Sequence, residues 1–315
     1  MQKPLSWRWI LLPLVLIAGL VCALFAQTDH SARGNEGRAK FGAVYMTTNN
    51  PFYEIIDEEI RTVVENHGDV LLSRDPALDA VRQIEEIEGL IADGVRVLFI
   101  NPVGGMRMDA VLAQARAANV IVIAIDTNVA EEGYVAATIV SDNYSAGVQC
   151  AEHLIAHADG GRIALLKHSE ARSAELRIEG FRAAIAQHPS FQIVAEEECS
   201  GQLEIAMPVM AEMLAVHPDI DVVMALNDPA ALGAIAALKG ANRLNGCLVS
   251  AVDATPAGLA AVEAGEMAQT VKQDAKAQGE GALTLAEGFL KGNPPSGDLA
   301  IPFTSITADN LAQAK

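Results

Sequence analysis

The sequence predicts an α/β fold in two similar halves, each a parallel sheet covered by helices, and three observations carry that prediction. From Phe41 onward, short apolar runs alternate with stretches of helical periodicity, the rhythm of parallel strands with crossover helices. At 315 residues the chain is long enough for two domains. The third observation is an internal echo. VLFIN places Asn101 at a strand end and VIAID places Asp126 at the next, 25 residues on; VMALN places Asn227 and VSAVD places Asp253, 26 residues on. Two halves that each present an Asn and an Asp at consecutive strand ends suggest a duplicated lobe, and facing edges of that kind form a polar cleft for a small ligand.

The elements follow in order. Phe41–Tyr45 is a short buried strand that breaks at Thr47-Thr48-Asn49-Asn50, residues whose side chains favour turns. Pro51 suits a first helical position, which needs no N–H donor, and opens a helix to His67. A strand at Val70–Leu72 and a helix at Ala77–Asp93 follow, the helix carrying Ile84, Ile87, Leu90 and Ile91 at helical spacing. Next come strand Val95–Ile100, a helix near Asp109–Asn119, strand Val120–Ile125, and strand Tyr134–Val140 ending at Ser141-Asp142-Asn143. The second half repeats the pattern: helix Tyr144–His157, strand Ile163–Leu166, helix Ala174–Gln187, strand Phe191–Ala195, helix Glu204–Val216 and strand Val222–Leu226. Helix Pro229–Lys239, strand Leu248–Val252, helix Pro256–Ala264, strand Ala268–Val271 and helix Ala275–Leu290 continue it. Gly292–Pro295 is a loop, and Thr304–Thr307 a last short strand.

Net charge is −18, and the chain without its first 26 residues, which contain Lys3 and Arg8, carries −20. Nucleic acid and anionic membrane surfaces need basic patches, so both are disfavoured as partners. Lys3 and Arg8 precede an apolar run from Ile10 to Ala26, the pattern of a secretory signal. The run is marginal in length for a spanning helix; a cleaved signal and a retained anchor both fit, and either exports the body. Residues 27–40 are small and polar and form a tether. Export permits disulfides, but Cys150, Cys199 and Cys247 make an odd set with no close metal-type pair. They read as small buried hydrophobes, with room for one bridge.

No catalytic set stands out. The chain has no G-x-S-x-G and no P-loop, and Gly104-Gly105 is too short a glycine signal for phosphate. His153 and His157 have the i,i+4 spacing of paired metal ligands, but EHLIAH lacks the Glu of HExxH; surface histidines are the plainer reading. Asp126 and Asp253 form a candidate acid/base pair, yet neither a nucleophile nor a metal set accompanies them. Carboxylates also bind sugar hydroxyls by charge-assisted hydrogen bonds. Binding is the simpler reading, with no cofactor and no metal expected.

NNPFY, INP, ID, SDN, RIEGF, LND and AVDATP, in that order, resemble the bacterial periplasmic ribose-type sugar-binding proteins of ABC importers over roughly Phe41 to Thr307. The resemblance implies a type I periplasmic-binding-protein fold, two doubly wound parallel-sheet lobes joined by a three-segment hinge. The crossings fall near Val140–Asn143, Gln273-Asp274 and Ile301–Thr304. The expected division is 1–26 signal or anchor, 27–40 linker, 41–141 with 274–302 as the first lobe, and 142–273 with 303–315 as the second. Carried over position by position, the resemblance makes Asn50, Phe52, Tyr53, Asn101 and Asp126 ligand contacts from the first lobe, and Arg177, Asn227 and Asp253 from the second, with Gln273 at a crossing. Core packing is the competing reading for Phe52 and Tyr53. Two positions depart from the ribose pattern: Thr127 stands where an Arg usually follows the first-lobe Asp, and Ser200–Gln202 offers no aromatic. The implied ligand is a small neutral sugar or polyol, with D-ribose itself in question. The implied partner is an ABC permease, and the expected state is a monomer in the periplasm or on the outer face of the cytoplasmic membrane. The alternatives are a sensory receptor that presents a sugar-like signal to a chemoreceptor or kinase, and an exported sugar-modifying enzyme.

Overall fold

A computed structural model describes residues 38–104, 107–129, 133–294 and 297–314. The segment expected to be a signal or anchor, and most of the expected tether, lie outside the described residues. Met1–Ala39 and Lys40–Lys315 are separate units, and all that follows concerns the second.

Among the described residues, twelve strands form two six-stranded sheets. The first holds β1 (Lys40–Val44), β2 (Val70–Arg74), β3 (Val97–Ile100), β4 (Ile121–Asp126), β5 (Ala137–Ser141) and β11 (Leu299–Ile301), in the order β2-β1-β3-β4-β5-β11. The second holds β6 (Gly161–Lys167), β7 (Phe191–Glu198), β8 (Val222–Ala225), β9 (Leu248–Asp253), β10 (Gln269–Gln273) and β12 (Phe303–Ile306), in the order β7-β6-β8-β9-β10-β12. The first five strands of each sheet therefore share one doubly wound order, with its switch point between the first and third strands. Every pairing is parallel except β10 with β12. The interior strands β3 and β8 are buried at every residue, as continuous apolar runs covered on both faces must be.

The helices are α1 (Pro51–Asn66), α2 (Ala80–Ala92), α3 (Asp109–Ala117), α4 (Asn143–His157), α5 (Arg172–Ile185), α6 (Leu203–Val216), α7 (Asp228–Gly240), α8 (Pro256–Glu263) and α9 (Ala275–Leu290). Local chemistry starts many of them. Asn50, Asp79, Asp142, Asn227, Thr255 and Asp274 each cap a helix by accepting a backbone N–H, which satisfies donors the helix itself leaves free.

The chain passes between the sheets three times. From β5 it enters α4, whose Ala146 and Cys150 pack in the second-lobe core with Ile163 and Phe181. From β10 it returns through α9, which packs on α1, and it leaves β11 for β12 two residues later. Helices α4 and α5 pack backbone to backbone. A Cβ on Gly147 would lie 1.8 Å from the carbonyl oxygen of Arg177, and one on Gly180 would lie 2.1 Å from that of Tyr144. This close approach sets the height of Arg177 over the strand ends.

Several bounds differ from the sequence reading for physical reasons. Helix α2 starts at Ala80, because Ala77 and Leu78 take positive φ of 52° and 64° and Asp79 caps the helix. Strand β5 begins at Ala137, while the Tyr134 ring lies under the Arg116 guanidinium at 4.5 Å. Strand β7 runs on to Glu198 because Lys167 and Arg182 pair with its acidic end. The three body cysteines are buried free thiols. No group of three or more metal-type ligands occurs among the described residues, and the His153 and His157 rings lie against each other tilted by 31°, 4.1 Å between centroids.

Candidate functional site

The carboxyl ends of the two sheets face one another, and the predicted residues gather there. Equivalent strands supply equivalent groups: Asn101 and Asn227 follow β3 and β8, and Asp126 and Asp253 end β4 and β9. Both aspartates sit on backbone that L-residues rarely adopt, φ 67° at Asp126 and 117° at Asp253. At Asp126 the Thr127 N–H donates to the Ile125 carbonyl at 2.7 Å, closing a γ-turn of the rare, strained hand. Strain held at matched positions in two lobes is a mark of function.

Arg177 is the hub. Its side chain is 5% exposed and that of Asp253 2%. Nη1 donates to Asp253 Oδ1 at 3.1 Å and to the Leu226 carbonyl at 2.9 Å, and Nε donates to Asn143 Oδ1 at 2.7 Å. Nη2 donates to Gln273 Oε1, and Gln273 Nε2 in turn donates to Asp126 Oδ1. A continuous relay thus runs from Asp253 through Arg177 and Gln273 to Asp126, from one lobe to the other.

The two Asn residues nearest the switch points serve the backbone as well. Asn50 caps α1 by accepting the Phe52 N–H at 3.0 Å. Asn227 caps α7 by accepting the Ala230 N–H at 3.0 Å and donates to the Gly201 carbonyl at 3.1 Å. Asn101 lies fully buried and ties β3 to β4 by donating to the Ile125 carbonyl at 2.9 Å. Its Oδ1 has no partner among the described residues. Phe52 and Tyr53 are buried edge to face, 5.2 Å between centroids, and Tyr53 stacks on Tyr45. Packing and cleft lining therefore coincide in these two rings.

A tight space of about 30 Å³ is lined by Asn50, Phe52, Tyr53, Arg177, Asn227 and Asp253, enough for a water or so, so a ligand must part these side chains to enter. Asp126 and Gln273 line neighbouring recesses instead, because the relay stands between them and this space. The structure thus gathers eight of the nine predicted residues on cavity surfaces and sets Asn101 behind them. Sequence reasoning missed Asn143, which holds Arg177 from below, although it stands in the SDN motif. It also missed Leu78, Ser173 and Gln202, which line the cleft and carried no local signal.

Burial dominates the electrostatics. It pushes the Asp253 carboxyl up to about 7, against the opposing pull of Arg177 and with help from Asp228 and Asp126. Asp228 is raised to about 6 by the same cause; its carboxylate accepts from the Thr255 N–H at 2.6 Å and from the Thr270 hydroxyl at 2.6 Å, fixing the loop that follows Asp253. Burial keeps the Tyr53 phenol protonated and lowers His168, which therefore adds no cation at neutral pH. A ligand hydroxyl donating to Asp253 favours its anion and lowers its pKa. Binding should then release protons below about pH 7, and affinity should rise with pH up to about 7 and level off. Calorimetry in two buffers of different ionisation enthalpy, at pH 6 and pH 8.5, checks this; equal proton counts at both would rule it out.

The lobes also touch at the mouth of the cleft. Asn49, before α1, donates its amide to Gln202 Oε1 at 2.6 Å and to Glu204 Oε1 at 3.0 Å. Gly104 backs so closely on the second lobe that a Cβ there would lie 1.7 Å from the Glu170 carbonyl oxygen. Such contacts exist only with the lobes shut, so this is the closed form. Asn49→Ala should remove the clasp without touching the cleft floor. At about 0.5–1.5 kcal/mol for a neutral hydrogen bond, ligand dissociation should quicken roughly two- to tenfold, as stopped-flow displacement would read.

The comparison with known proteins fits this geometry. The periplasmic binding protein domain family matches residues 41–294. The chain belongs to that family. It is 30% identical over 278 residues to the ribose import binding protein of Escherichia coli, covering 88% of this chain and 93% of that one. Among solved structures, an ABC transporter solute binding protein from Bacillus halodurans with bound myo-inositol is 25% identical, with a TM-score of 0.81 over 89% of this chain and 98% of that one. A Mycobacterium smegmatis protein in complex with β-D-fucofuranose is also 25% identical, with a TM-score of 0.81 over 88% and 93%. The ribose-binding type is thereby established, and family members are binding proteins of ABC sugar transport. No helix among the described residues is long and apolar enough to cross a membrane.

Proposed function

We propose that this chain is an exported, monomeric receptor that captures a small neutral sugar or polyol between its lobes and delivers it to an ABC permease. The observation that carries the proposal is the pair of strained carboxylates, Asp126 and Asp253, presented from equivalent strands of two lobes and joined through Arg177 and Gln273. Carboxylates and amides satisfy hydroxyls, which donate and accept at once. Asn50, Asn227 and the Phe52 and Tyr53 rings supply further polar contacts and an apolar wall. The named relatives support the transport role, since one is a ribose import protein and the solved one from Bacillus halodurans holds a polyol.

A charged ligand fits this site poorly. Arg177 is already committed to Asp253, Asn143, Gln273 and a carbonyl, so a phosphate or carboxylate would face two acidic groups with no uncommitted cation among the described residues that line the cleft. The test is a thermal-shift screen of pentoses, hexoses, inositols and linear polyols, followed by small-angle scattering with the best hit. A ligand that binds the closed form better shifts the lobes toward closure. A raised melting temperature with a smaller radius of gyration supports the reading; no hit across the panel refutes it.

A further inference from the structure

Asp228 closes the LND motif, directly after Asn227, and stands outside the relay. It is fully buried in the first turn of α7, and its carboxylate accepts three hydrogen bonds. Thr255 donates its N–H at 2.6 Å and its hydroxyl at 2.9 Å, and Thr270 of β10 donates its hydroxyl at 2.6 Å. Each threonine oxygen passes the restraint on to backbone. Thr270 Oγ1 accepts the Ala254 N–H at 3.0 Å, and Thr255 Oγ1 accepts the Gly258 N–H at 3.1 Å in the first turn of α8. Only glycine fits at 258, where a Cβ would lie 2.0 Å from Asp228 Oδ2.

The loop held in this way begins at Asp253. Its φ is 117° and that of Ala254 is 52°, and backbone strain of this kind persists only where surrounding groups over-determine it. The next two amides, of Ala254 and Thr255, both lead to Asp228, one through Thr270 and one directly. In the first lobe neutral amides hold the equivalent strand ends. Gln83 donates to the Asn101 carbonyl and accepts the Val103 N–H, both at 2.8 Å, and Asn101 donates to the Ile125 carbonyl at 2.9 Å. We infer that Asp228 is a positioning residue for ligand binding: through Thr255 and Thr270 it holds Asp253 where its carboxylate meets a ligand hydroxyl. The inference takes its ligand from the sugar reading above; the restraint on the loop stands apart from that reading.

The test starts with calorimetry on D-ribose, D-xylose, D-allose and myo-inositol, and the tightest binder becomes the probe. Asp228→Ala should weaken probe binding roughly tenfold or more, since it removes three bonds to a charged acceptor. Asp228→Asn keeps an acceptor for Thr255 and should stay within about threefold of native. Thr270→Val breaks the link to Ala254 and should cost roughly three- to tenfold, one neutral hydrogen bond; it carries the test if Asp228→Ala does not fold. In an Asp253→Ala background the loss from either change should shrink below about twofold, because a positioning residue acts through the group it positions. A residue that merely stabilises its lobe would cost the same in both backgrounds. Amide exchange in the ligand-free protein reads the restraint alone: the Ala254 amide should exchange roughly tenfold faster in Thr270→Val, and those of Ala254 and Thr255 in Asp228→Ala. Equal losses in the two backgrounds, an Asn variant as impaired as the Ala variant, or native affinity in both Asp228→Ala and Thr270→Val would overturn the inference. If none of the four compounds binds the native protein, the sugar reading fails and exchange alone decides the positioning of Asp253. Faster exchange then supports it, and unchanged exchange overturns it.

Discussion

Replacing Arg177 by methionine should destabilise the ligand-free protein by about 3–5 kcal/mol, the usual cost of stranding one member of a buried ion pair. The guanidinium is buried, makes four side-chain hydrogen bonds, and is the partner of a carboxylate whose side chain is 2% exposed. Its loss leaves Asp253 without a cation and leaves the Leu226 carbonyl, Asn143 and Gln273 short of a donor. At roughly 2–4 °C per kcal/mol for a protein of this size, the melting temperature should fall by about 10 °C. Asp253→Asn in the same background removes the stranded charge and should restore part of the loss, which a non-additive double-mutant cycle would register. A single variant that melts within about 2 °C of the native protein would mean that the pair carries little.

The second large effect is on affinity. Asp126→Ala and Asp253→Ala should each weaken binding of the sugar found in the screen by about 1.5–3 kcal/mol for a lost charged hydrogen bond, roughly ten- to hundredfold in Kd. The two are not equivalent. Asp253→Ala also strands Arg177, so part of its cost should appear as lower stability of the free protein. Asp126 pairs with neutral groups, Gln273 and Thr127, so its replacement should reach affinity with less loss of stability. Calorimetry and thermal melts on the two variants separate these contributions; near-native affinity in both would place the ligand elsewhere.

Much of the architecture was legible because it depends on local pattern. Strands β3 and β8 are unbroken apolar runs, and the helices after them open on Asn, Asp or Pro, so element type and order follow from short stretches. Asp126, Asp253, Asn101 and Asn227 stood out for the same reason: each is a polar residue that terminates an apolar strand, and the spacing repeats. What escaped depends on distant partners. The strand at Leu299–Ile301 is three residues long, largely exposed, and defined only by its pairing with Ile139–Ser141. The acidic end of β7 reads as loop until Lys167 and Arg182 are placed beside it. Ala77 and Leu78 look helical in sequence, yet Asp75 accepts the Ala77 N–H and the Met46 carbonyl accepts that of Leu78, which turns the chain over the cleft. Asn143 stands in the SDN motif but its role there is not legible without Arg177 beside it, and Ser173 carries no motif at all. They matter because α4 and α5 approach closely enough to bring both to Arg177 and the strand ends.

The central claim is that the two carboxylates and the committed Arg177 select an uncharged hydroxylated ligand, and one measurement tests it most directly. The sugar that gives the largest thermal shift is titrated by calorimetry at pH 8 beside its own phosphate ester. The neutral sugar should bind with one-to-one stoichiometry and the ester at least a hundredfold more weakly, about 2.8 kcal/mol at tenfold per 1.4 kcal/mol. An ester that binds as tightly as the free sugar, or more tightly, would contradict the account.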